Sequence, residues 1–218
     1  MNGAASRSVA VAGATGLVGR ELLQSLLADE SVSNIVVIGR RAPAESHPKL
    51  QFQRVDLPTV GALPHVDECY IALGTTIKVA GSQDAFRAVD FDSVVNVASA
   101  AKSAGAKKLG VVSAMGANAK SGVFYSRVKG EMENALAALG FDTLVIARPS
   151  MLAGDRTKVG QPTRGGEELA LKISNKLGWL IPANYRSIPA ASVARALLDA
   201  VPSSKGRRVM PSGELQDY

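Results

Sequence analysis

The sequence predicts an α/β fold: a doubly wound parallel sheet with a small C-terminal substrate lobe. Three observations predict it. Short apolar runs recur along the chain, among them Val9-Ala10-Val11-Ala12, Ile35-Val36-Val37-Ile38 and Cys69-Tyr70-Ile71-Ala72-Leu73. Stretches with helical spacing separate these runs. A glycine-rich turn joins the first run to the first helical stretch. Parallel strands are covered by helices on both faces, so they read as continuous apolar runs rather than alternating ones. Strands that alternate with helices build βαβ units, whose right-handed crossovers leave few topologies.

The elements follow in order. Ser8 to Ala12 is a buried strand that ends at glycine. Leu17 to Ala28 carries apolar residues at Val18, Leu22, Leu26 and Leu27, which is helical spacing. Asn34 to Ile38, Leu50 to Val55 and Glu68 to Leu73 read as the second, third and fourth strands. A long helix is expected from Ser82 to Ala104, with Ser82 as N-cap, Phe86, Val89, Val97 and Ala101 on one face, and Gly105 as its stop. Lys108 to Ser113 is the fifth strand. Tyr125 to Leu139 is a helix with Val128, Met132, Leu136 and Leu139 on one stripe and Gly140 as its C-cap. Asp142 to Ala147 is the sixth strand, closed by Arg148-Pro149. Residues 154–166 are rich in glycine, proline and charge and read as a loop, with helices expected near 166–177 and 190–200. Residues 1–218 form one domain, to which 150–218 contribute the substrate lobe.

Composition excludes several classes. Apolar residues make up 46% and charged residues 20%, as in an ordinary globular chain. The single cysteine, Cys69, lies in an apolar run and reads as packing in a reducing compartment. No run reaches the roughly 18 apolar residues of a membrane-spanning helix, and the N-terminus lacks the apolar stretch of a secretory signal, so a cytoplasmic location is expected. The net charge is +6, but Arg40-Arg41, Lys107-Lys108 and Lys205 to Arg208 are scattered and aromatics are only 5%. No basic stripe with stacking rings is present, so nucleic acid is not an expected partner. His47 and His65 lack metal-ligand spacing, and no metal is expected.

The strongest chemical signal is the loop Gly13-Ala14-Thr15-Gly16-Leu17-Val18-Gly19 between the first strand and first helix. Gly13 permits the tight turn, Gly16 lets a pyrophosphate approach the backbone, and Gly19 allows close packing of the helix. The helix N-terminus offers free N–H groups and the positive end of its dipole to phosphates. This is the setting of a Rossmann-type dinucleotide site. In NAD binders an acid near the end of the second strand holds the ribose 2′-hydroxyl. Here Gly39-Arg40-Arg41 occupies that place and no acid appears before Glu45. Paired guanidinium donors suit a 2′-phosphate, so NADP(H) is the expected cofactor. Asp56 ends the third strand, where it could accept from the adenine amino group or cap a turn.

The chain resembles the short-chain dehydrogenase/reductase superfamily in its atypical, extended-like branch, and within it the Tat-interactive-protein-like group of small NAD(P)-binding oxidoreductases. The residues that carry the resemblance are the glycine loop, Asp56, Leu73-Gly74-Thr75-Thr76, the run Asn96 to Gly105, Ser113-Ala114-Met115-Gly116-Ala117, Tyr125-Ser126-Arg127-Val128-Lys129-Gly130-Glu131 and Arg148-Pro149-Ser150. They cover residues 8–155 well and the remainder thinly. The resemblance implies that Ser113, Tyr125 and Lys129 are catalytic, that Lys129 also holds the nicotinamide ribose, that Leu73 to Thr76 lie beside a cofactor ribose, and that Pro149 and Ser150 border the nicotinamide. The chemistry is sound on its own terms. A phenol that titrates near about 10 is a poor acid–base group at neutral pH, and an ammonium one helical turn away favours the phenolate. Ser113 closes the fifth strand at the carboxyl edge, where ligands bind in such sheets, and could hydrogen-bond a substrate oxygen. Two positions depart from the family pattern: Ala114 stands where many relatives have a second serine, and Asp90 where many have asparagine.

The expected activity is hydride transfer between NADP(H) and a carbonyl or alcohol carbon of a small molecule, with Tyr125 as acid or base. A non-catalytic NADPH sensor acting on a regulatory protein partner is the alternative. A nucleotide-sugar epimerase is a further one, for which the chain after Pro149 looks short. A homodimer is an expectation that no face of the sequence singles out. Trp179 reads as packing, a pocket wall or an interface residue.

Overall fold

The computed structural model describes residues 6–56, 59–153 and 183–218. The expected helix near 166–177, Trp179 and the loop 154–166 lie outside them.

The elements are β1 (Arg7–Ala12), α1 (Leu17–Ala28), β2 (Val32–Gly39), β3 (Leu50–Arg54), β4 (Glu68–Ile71), α2 (Ile77–Ala80), α3 (Gln83–Arg87), a π-helical segment (Ala88–Ser93), α4 (Val94–Ser103), β5 (Lys108–Val112), α5 (Phe124–Ala138), β6 (Thr143–Arg148), β7 (Leu152–Ala153), β8 (Ile188–Pro189), α6 (Ala190–Ser203), β9 (Gly206–Pro211) and α7 (Ser212–Leu215). Seven strands form one sheet in the order β3-β2-β1-β4-β5-β6-β9, and every pairing in it is parallel. β7 and β8 pair separately.

The apolar runs account for the layering. Val9, Val11, Val37 and Val145 face a core with Leu22, Leu23 and Leu26 of α1 and Val193, Leu197 and Val201 of α6. Their alternating neighbours Ala10, Ala12, Val36, Ile38 and Ile146 face a second core with Val97 and Ala101 of α4 and Met132 and Leu136 of α5. Both faces are therefore dry. β1 is the switch point: β2 and β3 extend the sheet to one side and β4, β5, β6 and β9 to the other. A crevice opens at such a point beyond the carboxyl ends of the strands.

Two features differ from the sequence expectation. The sheet has a seventh strand, β9, at its edge, where six strands were expected; its Arg208 pairs with Glu214 at 2.6 Å. Residues 190–211 thus complete the main sheet and its helical cover. Finally, the expected helix from Ser82 to Ala104 is not uniformly α-helical. Ser82 caps it through its hydroxyl to the Ala85 amide, and Gly105 ends it at φ +105°, but Ala88–Ser93 winds as a π-helix. The Ser93 hydroxyl donates to the Ala88 carbonyl at 2.7 Å, across that wider turn.

Candidate functional site

A cavity of about 660 Å³ lies over the crevice beside β1. Its walls include the glycine loop with the start of α1, Gly39-Arg40-Arg41 after β2, Ala72 to Thr76 after β4, Ala88 to Asp90 of the π-helical segment, and Ser113, Tyr125 and Lys129 from the β5–α5 region.

Local geometry explains the glycine loop. Gly13 has φ +86°, and a Cβ there would lie 2.5 Å from the Ala72 carbonyl oxygen. Its carbonyl receives the Gly16 amide at 3.0 Å and closes the turn. A Cβ on Gly19 would collide with that same carbonyl, so Gly19 lets α1 sit directly on the loop. The N-cap of α1 is Gly16, which has no side chain with which to cap it, and the first turn, Leu17-Val18-Gly19-Arg20, carries no acid. The orphan N–H groups of that turn are therefore left to whatever enters the cavity, which is the donor set a pyrophosphate needs. The residues present fit a dinucleotide. At the β2 end Arg40 and Arg41 are exposed, and no ion pair engages either among the described residues.

At the other end, Tyr125 and Lys129 project from one side of α5. Phe86 packs against Tyr125 with ring centroids 5.4 Å apart, and against Phe124 at 5.9 Å. Lys129 is buried, and its ammonium lies 2.7 Å from Oδ1 of Asp90, also buried. Burial acts to lower the lysine pKa. Asp90, Tyr125 and Glu133 outweigh it and hold Lys129 above its ordinary value, so it stays charged at neutral pH. Oδ2 of Asp90 accepts the Thr75 amide at 2.8 Å.

Ser113 lines the cavity, but its hydroxyl donates to Oε1 of buried Glu133 at 2.6 Å. Arg148 grips the same carboxylate with two donors, at 2.9 and 2.6 Å, and Arg207 lies 3.4 Å away. The Glu133 carboxylate raises the Arg148 pKa in return. A serine whose proton is held by a carboxylate presents its lone pairs to a ligand, so it accepts more readily than it donates. Residues 125, 129 and 133 share one face of α5 by their spacing.

Of the residues singled out in the sequence, Gly13, Thr15, Gly16, Leu17, Val18, Arg40, Arg41, Leu73, Gly74, Thr75, Thr76, Ser113, Tyr125 and Lys129 all line this one cavity. Gly19 stands behind it as packing. Asp56, Pro149 and Ser150 are not in its wall. Asp56 is exposed, and its carbonyl accepts the Thr59 amide at 2.9 Å. The Ser150 hydroxyl donates to the Arg186 carbonyl and accepts from Ser212 at 3.0 Å, bracing the C-terminal segment. Sequence reasoning missed Glu133 and Arg148 as partners and saw Asp90 only as a departure. Their contacts join residues far apart in the chain, and no local pattern marks them.

A family profile described as NAD(P)H-binding matches residues 13–203. Protein fmp52, mitochondrial, of Emericella nidulans is 36% identical over 183 residues, covering 78% of this chain and 76% of that protein. Protein HTATIP2 of Rattus norvegicus is 34% identical over 201 residues, covering 89% and 81%. Among solved structures, the Bordetella bronchiseptica enzyme WbmH in complex with NAD+ superposes with a TM-score of 0.66 at 16% identity, covering 95% of this chain and 76% of that one. The expected cytoplasmic location is corrected by the fungal relatives, which are named mitochondrial proteins. The lack of an apolar signal segment bears on secretion only, and organelle import reads other features. Among the described residues no helix is long and apolar enough to cross a membrane.

Proposed function

The chain belongs to the NAD(P)H-binding family, and from that premise we propose that it is an NADP(H)-dependent oxidoreductase of the short-chain dehydrogenase type acting on a small carbonyl or alcohol substrate. The observation that carries the reading is the one cavity in which an open helix N-terminus, Arg40 and Arg41, which make no ion pair among the described residues, and the Tyr125–Lys129 pair meet. Gly13, Gly16 and the first turn of α1 bind the pyrophosphate. Arg40 and Arg41 take the 2′-phosphate, which a carboxylate at that place would repel. When bound, the cofactor supplies or accepts the hydride. Tyr125 passes the proton at its phenolic oxygen, and Lys129 offers positive charge to the phenolate and hydrogen bonds to a ribose. Ser113, with its proton on Glu133, orients a hydroxyl by accepting from it.

Turnover is tested with Tyr125→Phe, which removes the proton but keeps the ring against Phe86. NADPH affinity, read by calorimetry, should be retained, while carbonyl-dependent oxidation of NADPH should fall by about 10²–10⁴-fold. Undiminished turnover would remove Tyr125 from the mechanism. A second reading, a non-catalytic NADPH sensor, is favoured by one observation: the Ser113 proton is already committed to Glu133, and Ala114 offers no second hydroxyl. Tight NADPH binding with no turnover on any carbonyl in a broad screen would select it.

A further inference from the structure

Asp90 is a buried carboxylate that a cavity for an anionic ligand has no evident reason to keep. It sits in the middle of the π-helical segment, on the wall of the cavity. A π-turn widens a helix by one residue and swings the residues after it out of α-helical phase, and such turns recur at functional sites. Both oxygens of Asp90 are engaged. Oδ1 takes the Lys129 ammonium at 2.7 Å, and Oδ2 takes the Thr75 amide at 2.8 Å. A buried ion pair seldom repays its desolvation through stability alone, so its retention here calls for another role.

We propose that Asp90 is a positioning residue of this site: it fixes Lys129 against the loop after β4 and offsets part of the lysine's charge, so that the ammonium pulls less strongly on the Tyr125 proton. This rests on the reading of Tyr125 as the acid–base group. The ammonium has three donors and Asp90 takes one, leaving the others for the cavity. Anchoring Asp90 on the Thr75 amide sets the spacing between the ribose-side loop and α5. The charged and titratable groups around Lys129 are Asp90 from the π-segment and Tyr125 and Glu133 from its own helix. Glu133 is itself matched by Arg148 and Arg207. Asp90 is thus the carboxylate whose balance falls on Lys129. A tyrosine beside a balanced lysine keeps its proton and hands it to a substrate oxygen, which is the demand of carbonyl reduction.

The test needs neither substrate nor cofactor. Tyrosinate absorbance is followed against pH in the full chain and in the Tyr125→Phe variant, and the difference isolates Tyr125. In Asp90→Asn the Tyr125 signal should appear at lower pH than in the parent, by about one pH unit or more. Asp90→Glu, which keeps the charge, should lie nearer the parent. If Asp90→Asn does not fold, Asp90→Ser, which still offers an acceptor to the Thr75 amide, takes its place with the same expected shift. An unmoved or upward onset in a folded variant overturns the proposal. So does failure of both variants to fold, since Asp90 would then hold the fold rather than the site. A parent protein that binds NADPH but turns over no carbonyl counts against the oxidoreductase reading, and the Asp90 shift remains measurable in it.

Discussion

Cys69 lies in β4 between Glu68 and Tyr70, fully buried, and burial pushes its thiol up to about 12. Thiolate is the nucleophile, and at neutral pH this group supplies almost none, behind a wall of side chains. The folded protein should therefore resist a thiol-directed alkylating reagent at pH 7–8, and the thiol should react fully once the chain is unfolded in denaturant. Rapid labelling of the native protein would show that β4 is less protected than its packing implies. Residue roles of this kind were partly legible in the sequence. The apolar run around Cys69, the glycines of the loop and the four-residue spacing of Tyr125 and Lys129 are local signals. The partners of those residues were not legible. Asp90 reaches Lys129, and Glu133 reaches Ser113 and Arg148, only because the sheet and α5 bring distant segments together. Arg40 and Arg41 could be chosen for a simpler reason: an acid was missing where one is normally required.

At the scale of elements, α5 carries the chemistry and its seating depends on Gly130. A glycine inside a helix ordinarily costs about 0.5–1 kcal/mol relative to alanine. By that rule Gly130→Ala should stabilise. The structure reverses the sign. A Cβ there would collide with the backbone of Asn118 and Ala119, lying 2.7 Å from the Asn118 Cα. Backbone cannot swing aside as a side-chain tip can, and overpacking of this kind costs about 1–3 kcal/mol. Gly130→Ala should melt roughly 5 °C below the parent. Gly122→Ala, where no atom lies within 4 Å of the added methyl, should change little. A Gly130 variant as stable as the parent would mean that the loop 118–119 yields freely. The helix around Gly130 was plain from its apolar stripe, but its closeness to another segment was not. The π-turn was hidden for a related reason. Phe86, Val97 and Ala101 are buried, but Val89, expected on the same face, is only half-buried and lines the cavity, and the sequence pattern contains no mark of the extra residue in the turn. That turn carries Asp90 toward Lys129.

For the whole molecule, the cavity is a meeting place. Loops after β1, β2 and β4 and one face of α5 reach it, so a ligand that bridges them binds the folded chain and not the unfolded one. Ligand at about 100 times its Kd then adds about 2.7 kcal/mol to folding stability. For a chain of this length that is a rise in Tm of roughly 5–10 °C. The sequence showed most of this frame, because both faces of β1, β2 and β4 are dry and their runs are apolar throughout. It did not show β9. An edge strand has one free side, and of Gly206-Arg207-Arg208-Val209-Met210-Pro211 only Met210 is buried, so the segment lacks the continuous apolar run that marks the inner strands. Arg40 and Arg41 are the opposite case, basic residues that make no ion pair among the described residues and border the cavity. At equal concentration NADPH should raise Tm by several degrees more than NADH, since only NADPH carries the 2′-phosphate. Replacing both arginines with alanine should remove that difference and leave the NADH shift in place, because the glycine loop and the first turn of α1 still hold the pyrophosphate. Were both shifts to shrink alike, the arginines would be acting as general positive charge rather than reading the phosphate. Were neither nucleotide to raise Tm in the parent, the open N-terminus of α1 would be a feature of the scaffold, and the search would turn to a protein partner for this surface.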